Sequence, residues 1–305
     1  MFRTGRTFLA ATAVVLALTA TGCNSKSSGG DAAPAAPSAA GSSVAPSSPA
    51  AEVAPAALLK LVGEKTSAAK SAKVEAVTEL PTGKTSMKGA ISWDHGLQGE
   101  LTGNAGGAMA DTLAKAGGDG TFTARYLTDA MYINMGEAMA GQLGGAHWIK
   151  YGYADLAKLM GPAGDSLKQQ LQSADPVSSV RALIASGKVA KAGSESVNGT
   201  QATKYAGDLS AADLAQATTQ GLTKEQADGL QQQFTAAGIT TEHIELWVTG
   251  DNLLVKKVEQ LQTKAGAITS TATYTDYGTS VAATAPSEGD TVDFAKLLQG
   301  AQSAS

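Results

Sequence analysis

The chain has 305 residues, of which 43% are hydrophobic and 16% are charged, so it is long and apolar enough to form a folded domain. Its 23 basic and 27 acidic residues give a formal charge of −4, which argues against a nucleic-acid-binding protein. The single cysteine excludes a disulfide framework, and His95, His147 and His243 are too far apart for a local metal site, so we predict none.

The first segment, residues 1–22, has the pattern of a secretory signal peptide. Arg3 and Arg6 precede an apolar run that is too short to remain as a membrane-spanning helix. Small residues then lead to Cys23, as in the bacterial lipobox, although Ala20 stands where leucine is usual. We therefore predict cleavage before Cys23 and attachment of diacylglycerol and a further acyl chain such as palmitate. The alternative is an ordinary export signal with an incidental cysteine.

Residues 23–54 consist, after the cysteine, mainly of Ser, Ala, Gly and Pro. Such a segment has almost nothing to bury, so we predict a disordered tether. A flexible coil of about thirty residues has a root-mean-square span of roughly 30 Å. We expect the acyl chains on Cys23 to anchor the protein at the outer face of the plasma membrane. The tether then allows the folded domain to stand clear of the membrane surface.

The folded domain is predicted to span residues 55–300, followed by a disordered tail over 301–305. Its first segment begins at Pro55 and has apolar residues at helical spacing. The next segment, 73–80, alternates apolar and polar residues, which indicates an antiparallel strand with one buried face. The chain thus begins the domain with a helix and then changes to strands.

Turn signals recur between the extended segments that follow, and the clearest is Asn198-Gly199, which predicts a type I′ hairpin turn. We count about eleven strands, enough for a large antiparallel sheet that curls into a partial or closed barrel. Helical blocks interrupt the strands at about 153–187 and 209–238, and a short helix from Val292 to Leu298 ends the domain. Because these helices cannot bury their apolar sides alone, we predict an α+β fold with helices over one face of the sheet.

Catalytic motifs are scarce. Ser67 and Lys70 have the Ser-x-x-Lys spacing of penicillin-binding enzymes, but neither a Ser-Asp-Asn nor a Lys-Thr-Gly motif follows. His243, Glu245 and Trp247 share one face of a predicted strand, where they could form an acid–base pair, a carbohydrate-stacking surface or simply the solvated side of the strand. We favour the solvated side, and we predict a protein that is not an enzyme and has no cofactor.

Several weak motifs occur in a characteristic order. After the lipobox and tether come ARYLTDAMYINM, HWIK, an Asp-Pro that opens a helix, ESVNGT, TKYAGDL, IELWVTGDNLLVKK, TYTDYG and a late Ala-Pro. In this order the domain resembles the actinobacterial lipoproteins of the LppX and LprG type, whose fold is similar to that of the LolA and LolB carriers. The resemblance implies a strongly curved antiparallel half-barrel whose concave face holds the helices around an apolar cavity. Members hold acyl chains there and need no catalytic residue.

We therefore predict a membrane-anchored lipoprotein that binds the acyl chains of a lipid or lipoglycan in an apolar cavity and carries or presents it in the cell envelope, together with envelope transport proteins. The alternative is a cell-surface adaptor or sensor that binds another envelope protein. Periodicity shows which residues share a face, but not whether that face meets a ligand or a packed helix. The candidate cavity residues are Met131, Ile133, Met135, Leu222, Leu230, Phe234, Ile244, Leu246 and Val248.

Overall fold

A computed structural model describes residues 54–160, 175–218, 224, 228 and 234–303. The strands are β1 Ser71–Leu80, β2 Gly83–Ser92, β3 Gln98–Asn104, β4 Thr121–Tyr126, β5 Ala130–Asn134, β6 Trp148–Gly152, β7 Ala190–Val197, β8 Thr200–Ser210, β9 Thr241–Thr249, β10 Leu254–Thr263, β11 Gly266–Thr275 and β12 Thr291–Asp293. The helices are α1 Pro55–Ala68, α2 Gly107–Lys115, α3 Glu137–Ala140, α4 Tyr153–Met160, α5 Ser178–Ser186, α6 Ala211–Thr218 and α7 Phe294–Ser303.

All twelve strands form one sheet in the order β12-β6-β5-β4-β3-β2-β1-β11-β10-β9-β8-β7. Every neighbouring pair is antiparallel except β12 and β6, which are parallel. The two end strands do not pair with each other, so the sheet is open. The predicted α+β fold with one large curved sheet is confirmed.

The sheet has one strand more than the approximate count of eleven because three residues of the C-terminal segment pair with β6. Thr291–Asp293 form β12, and the final helix therefore begins at Phe294 rather than at Val292. That helix continues to Ser303, beyond the predicted end of the domain at residue 300. A three-residue strand has no alternation long enough to recognise in a sequence.

Two further differences concern loops and helices. Helix α2 was not predicted, because it is short and buries only one large apolar side chain, that of Leu113. Helix α5 begins at Ser178, and Asp175 accepts a hydrogen bond from the Val177 backbone N–H at 3.0 Å in the turn before it. The predicted hairpin turn is confirmed, since Asn198 and Gly199 both have positive φ angles, of 49° and 81°.

Helices α1, α5 and α6 pack against one face of the sheet, which we call the inner face. Leu59 and Val62 of α1 and Leu183 of α5 are fully buried there, in one core cluster with Val74 and Leu246 of the sheet. Residues paired across neighbouring strands point to the same side of a sheet. The register therefore assigns each strand residue to the inner face or to the opposite, outer face.

The two edges of the sheet differ in structure. At one edge, β12 pairs along β6, and His147 just before β6 holds the segment that leads into β12. The His147 Nδ1 lies 2.5 Å from Asp290 Oδ1, and its Nε2 lies 3.1 Å from Glu137 Oε1. At the other edge, β7 is almost wholly exposed, and a register shift between Lys191 and Gly193 interrupts its pairing with β8.

The protonation of His147 strengthens the first edge. A neutral imidazole can donate only one hydrogen bond, whereas both ring nitrogens of His147 face carboxylates. The hydrogen bond to Asp290 raises the pKa of His147 despite an opposing effect of burial, and Glu137 raises it further. The same contact lowers the pKa of Asp290.

Candidate functional site

The predicted cavity residues that lie within strands all share the inner face. They are Met131, Ile133, Ile244, Leu246 and Val248, and Met135 lies just beyond the end of β5. Ile133 pairs with Ala124, and Ala124 pairs with Leu101, which belongs to the same core cluster as Leu246. The register of the strands therefore places these five side chains on one common surface.

These residues nevertheless form two separate groups. One group lies at β5 and the other on β9, seven positions apart in the order of the sheet. At about 4.8 Å between neighbouring strands, this is roughly 34 Å measured along the curved sheet. We call the inner face of β1 and β8–β11 the packed half, and the inner face of β2–β6 the open half.

The packed half is a close-packed core. Ile244, Leu246 and Val248 are 1%, 0% and 2% exposed, and they pack in one cluster with Val180 and Leu183 of α5. Interiors of this kind leave few voids larger than a water molecule. Contact of these three residues with a ligand stays a prediction, and in the structure they support the helices.

The open half is less completely covered. Met131, Ile133 and Met135 are partly exposed. Leu101 and Ala124 on the same half are buried, and Leu101 belongs to the core cluster. Among the described helices, α4 and α7 meet this half mainly at β6. The open half therefore presents a short, partly exposed apolar row of Met131, Ile133 and Met135 at β5 and just beyond it.

The predicted helical block at about 209–238 is described only in part. Ser210 still belongs to β8, and Ala211–Thr218 form α6. Leu222 and Leu230 lie outside the described residues. Phe234 is 2% exposed, and residues 234–237 are helical. Its burial fits a packed position, and its contact with a ligand stays a prediction.

A charged cluster that the sequence analysis missed lies in the packed half. Lys257 and Glu259 are on the inner face of β10, and Lys257 Nζ is 3.0 Å from Glu259 Oε1 and 3.2 Å from Ser179 Oγ. The Ser179 hydroxyl donates to the same Glu259 carboxylate. The side chains of Lys257 and Glu259 are only 14% and 22% exposed. The signal in the sequence was the break in alternation, because both charges share a face with Leu261.

These charges shift one another's protonation. Burial lowers the pKa of Lys257, but Glu259, Tyr274 and Glu242 together more than offset this, and the pKa lies above its ordinary value. Burial raises the pKa of Glu259, but Lys257 and Ser179 bring it below its ordinary value. Burial and Glu259 together raise the pKa of Glu242 to about 8, and Lys257 offsets this only in part. The cluster thus contains one ion pair and one carboxyl group that is protonated at neutral pH.

Tyrosines lie at one end of the open half. Tyr151 on β6 pairs with Met131, and Met131 pairs with Tyr126 on β4. The Tyr151 ring packs against Phe294 of α7, with 4.7 Å between the ring centroids. Tyr153 follows β6 directly and opens α4. This end of the apolar row therefore carries aromatic side chains with polar tips.

On the outer face, the prediction for the His243 strand is only partly right. His243 and Glu245 are partly exposed and have charged neighbours, as expected for a solvated surface. Trp247 is instead 3% exposed, with Lys204 and Lys256 over its ring at 5.1 and 4.1 Å from the centroid. The solvated interpretation is wrong for Trp247, because lysine side chains and an apolar cluster cover it.

A shallow groove of about 690 Å³ also lies mainly on the outer face, across β1–β5. Most of its lining is polar and includes Ser86, Lys88, Thr102, Asn104 and Thr123. None of the predicted cavity residues that the structure describes lines this groove. It is therefore distinct from the apolar row on the inner face.

Across the described ranges, no helix is both long and apolar enough to cross a bilayer. Nor do the described residues contain three or more His, Cys, Asp or Glu side chains grouped to hold a metal ion. Cys23 lies outside the described residues, so its lipidation stays a prediction.

Comparison with other sequences identifies two related proteins. An uncharacterized 31.2 kDa protein of Streptomyces griseus, from the rplA-rplJ intergenic region, is 47% identical over 251 residues, which are 81% of this chain and 82% of that protein. A Streptomyces coelicolor protein named "Putative lipoprotein SCO4650" is 36% identical over 243 residues, which are 79% of this chain and 75% of that protein. No family model matches the chain.

Solved structures with similarity to this chain include two mycobacterial proteins. LprF from Mycobacterium bovis matches with a TM-score of 0.42 and 17% identity, over 76% of this chain and 96% of that one. The lipoprotein LppX from Mycobacterium tuberculosis matches with a TM-score of 0.42 and 15% identity, over 76% of this chain and 100% of that one.

Proposed function

The chain belongs to the actinobacterial family of these two Streptomyces proteins, and we propose that it is a membrane-anchored lipoprotein that binds acyl chains on its inner face. One relative is named as a lipoprotein, and this chain has the signal pattern and the cysteine that lipidation requires. In this proposal the protein is not an enzyme. It is held at the outer face of the plasma membrane and carries or presents a lipid or lipoglycan in the cell envelope.

The observation that carries the proposal is the open half. Its partly exposed apolar row continues the same face that forms a solid core in the packed half. Acyl chains gain about 25 cal/mol for each Å² of apolar surface that they remove from water. A row of Met and Ile side chains can adapt to such chains without any polar anchor. Met131, Ile133 and Met135 are therefore the residues that we propose contact the ligand.

Mass spectrometry of bound lipids tests this proposal. The Cys23→Ser chain would be produced in a Streptomyces host, purified from the medium and extracted with organic solvent. We expect diacyl or triacyl lipid in amounts close to one molecule per protein. Purified protein that yields no acyl lipid and takes none up from added lipid would contradict the proposal and favour the adaptor or sensor function.

A pair of matched variants connects the lipid to the open half. Ile133→Glu places a charge on the inner face and should reduce bound lipid about tenfold or more, because an unpaired charge among acyl chains is costly. Thr102→Glu is the control, since Thr102 is exposed on the outer face of the same region. Circular dichroism should show both variants folded. Equal lipid loss in the two variants would exclude the open half as the site.

The anchor has a separate test. We expect Cys23→Ser to leave the fold intact and to release the protein from the membrane fraction into the medium, because no acyl chains remain to hold it. Fractionation and immunoblotting measure this. A variant that stays in the membrane pellet at high salt would overturn lipid anchoring through Cys23.

A further inference from the structure

The hydroxyl group of Tyr153 is buried and has no hydrogen-bond partner among the described residues. Tyr153 is 2% exposed, so bulk water does not supply the missing partner. An unpaired buried hydroxyl costs free energy, and the cost is recovered when an acceptor reaches it. Buried polar groups without a partner are rare in folded proteins. One explanation for the Tyr153 hydroxyl is that a bound ligand supplies the acceptor.

Tyr153 lies at the tyrosine end of the open half. Its backbone N–H donates to the Asp129 carbonyl at 3.0 Å, which holds the start of α4 beside the turn between β4 and β5. Tyr151, two residues earlier, is on the inner face in register with Met131 and Tyr126. The Tyr153 phenol also interacts electrostatically with Tyr126, so Tyr153 lies at the end of the apolar row that we propose contacts acyl chains.

The surroundings of this hydroxyl define which acceptor it would take. Burial raises the pKa of Tyr153 well above its ordinary value, and Tyr126 and Asp129 raise it further. The phenol is therefore protonated at neutral pH and available as a donor. The Asp129 carboxylate adds negative charge nearby, which disfavours a phosphate and favours an uncharged oxygen.

We propose that the Tyr153 hydroxyl donates a hydrogen bond to an uncharged oxygen of the bound lipid, either an acyl-ester carbonyl or a sugar hydroxyl. This inference rests on the proposed function, because it assigns the polar end of a lipid whose chains lie along the open half. Tyr153 is then a specificity-determining residue. It selects neutral acylglycerols or glycolipids over phospholipids with the same chains.

Binding measurements with defined lipids test the proposal. The probes are dioleoylglycerol, its diether analogue without ester carbonyls, galactosyl dioleoylglycerol and dioleoyl phosphatidic acid. Each is titrated into lipid-stripped Cys23→Ser protein, with and without Tyr153→Phe. The matched control is Tyr132→Phe, since Tyr132 is a buried tyrosine on the outer face of β5.

We expect the Cys23→Ser protein with Tyr153 intact to bind dioleoylglycerol and galactosyl dioleoylglycerol more tightly than dioleoyl phosphatidic acid. Tyr153→Phe should weaken binding of a neutral lipid about fivefold, the effect of one hydrogen bond, and Tyr132→Phe should not. A loss with dioleoylglycerol but not with the diether identifies the ester carbonyl as the acceptor. A loss confined to the galactosyl lipid identifies the sugar hydroxyl.

Two results would overturn the assignment of Tyr153 while leaving lipid binding intact. One is equal affinity of Tyr153→Phe and its parent for every probe, and the other is tighter binding of phosphatidic acid than of the neutral lipids. Thermal unfolding adds a ligand-free check. Lipid-free Tyr153→Phe should be at least as stable as its parent, and a clear loss of stability would reveal a partner within the protein. Failure of the parent protein to bind any probe would instead reject the proposed function itself.

Discussion

The packed half and the open half of the inner face are built from the same kind of strand but are covered differently. In the packed half, Leu246 and Val248 are at most 2% exposed beneath the helices. In the open half, Met131 and Ile133 remain partly exposed. In each pair a single aromatic residue on the outer face, Trp247 or Tyr132, separates the two inner residues. Alternation therefore determines the face of a strand residue, whereas the covering helices determine whether that face is core or binding surface.

The two halves also differ in polar content. The packed half contains the Lys257–Glu259 ion pair, which is completed by Ser179 from helix α5. Ser179 contacts both charges, so a displacement of α5 would remove two of the hydrogen bonds in this cluster. The open half has tyrosine hydroxyls at its end instead. We therefore expect the packed half to be rigid and the open half to accept variable apolar contacts.

The largest effect is expected from breaking the ion pair. Lys257→Met leaves the Glu259 carboxylate buried without its cation and should lower the free energy of unfolding by about 3 to 5 kcal/mol. Urea unfolding followed by circular dichroism measures this. The control is Lys73→Met, which removes an ion pair with Asp276 whose two side chains are 59% and 58% exposed, and it should have little effect. Comparable losses in the two variants would show that the packed half gains nothing from the cluster.

The next effect compares one residue from each half. Leu246→Ala empties space in a filled core and should cost about 2 to 5 kcal/mol of unfolding free energy. Ile133→Ala should cost about 1 kcal/mol or less, because the side chain is already partly exposed. The same urea titration gives both values. Equal losses of unfolding free energy in the two variants would show that the two halves are packed equally well.

A smaller effect is expected from pH. The folded protein holds a proton on Glu242 up to about pH 8, whereas the unfolded chain releases it near its ordinary value of 4.5. Stability should therefore fall as the pH rises through this window, since the folded state binds more protons there. Glu242→Gln should reduce this slope and stabilise the protein at pH 8. Unfolding midpoints between pH 5 and pH 8 measure it, and an unchanged slope would show that another group is responsible.

Local patterns predicted a large part of the fold. The alternation of 73–80 gave β1, and Asn198-Gly199 gave the β7–β8 turn. The same periodicity placed Met131 with Ile133, and Leu246 with Val248, on one face of their own strands. These predictions succeeded because a period of two and a turn with two positive φ angles are properties of neighbouring residues alone.

Features that depend on distant residues were not predictable in this way. The pairing of β1 with β11 joins segments from opposite ends of the domain, and no local signal specifies it. The burial of Trp247 depends on lysines from two neighbouring strands. Likewise, the Tyr153 hydroxyl has no hydrogen-bond partner among the described residues, and this depends on which groups the folded chain brings near it.

The irregular edge strand β7 affects how copies of this protein on one membrane would meet. Proteins attached to a membrane collide with their copies in two dimensions, often in similar orientations. A long, regular edge would then add strand to strand between neighbours and produce fibres. The register shift between Lys191 and Gly193 interrupts that edge, so β7 does not present a straight template to a neighbouring strand. If the protein is anchored as we propose, we expect crowded copies to remain separate.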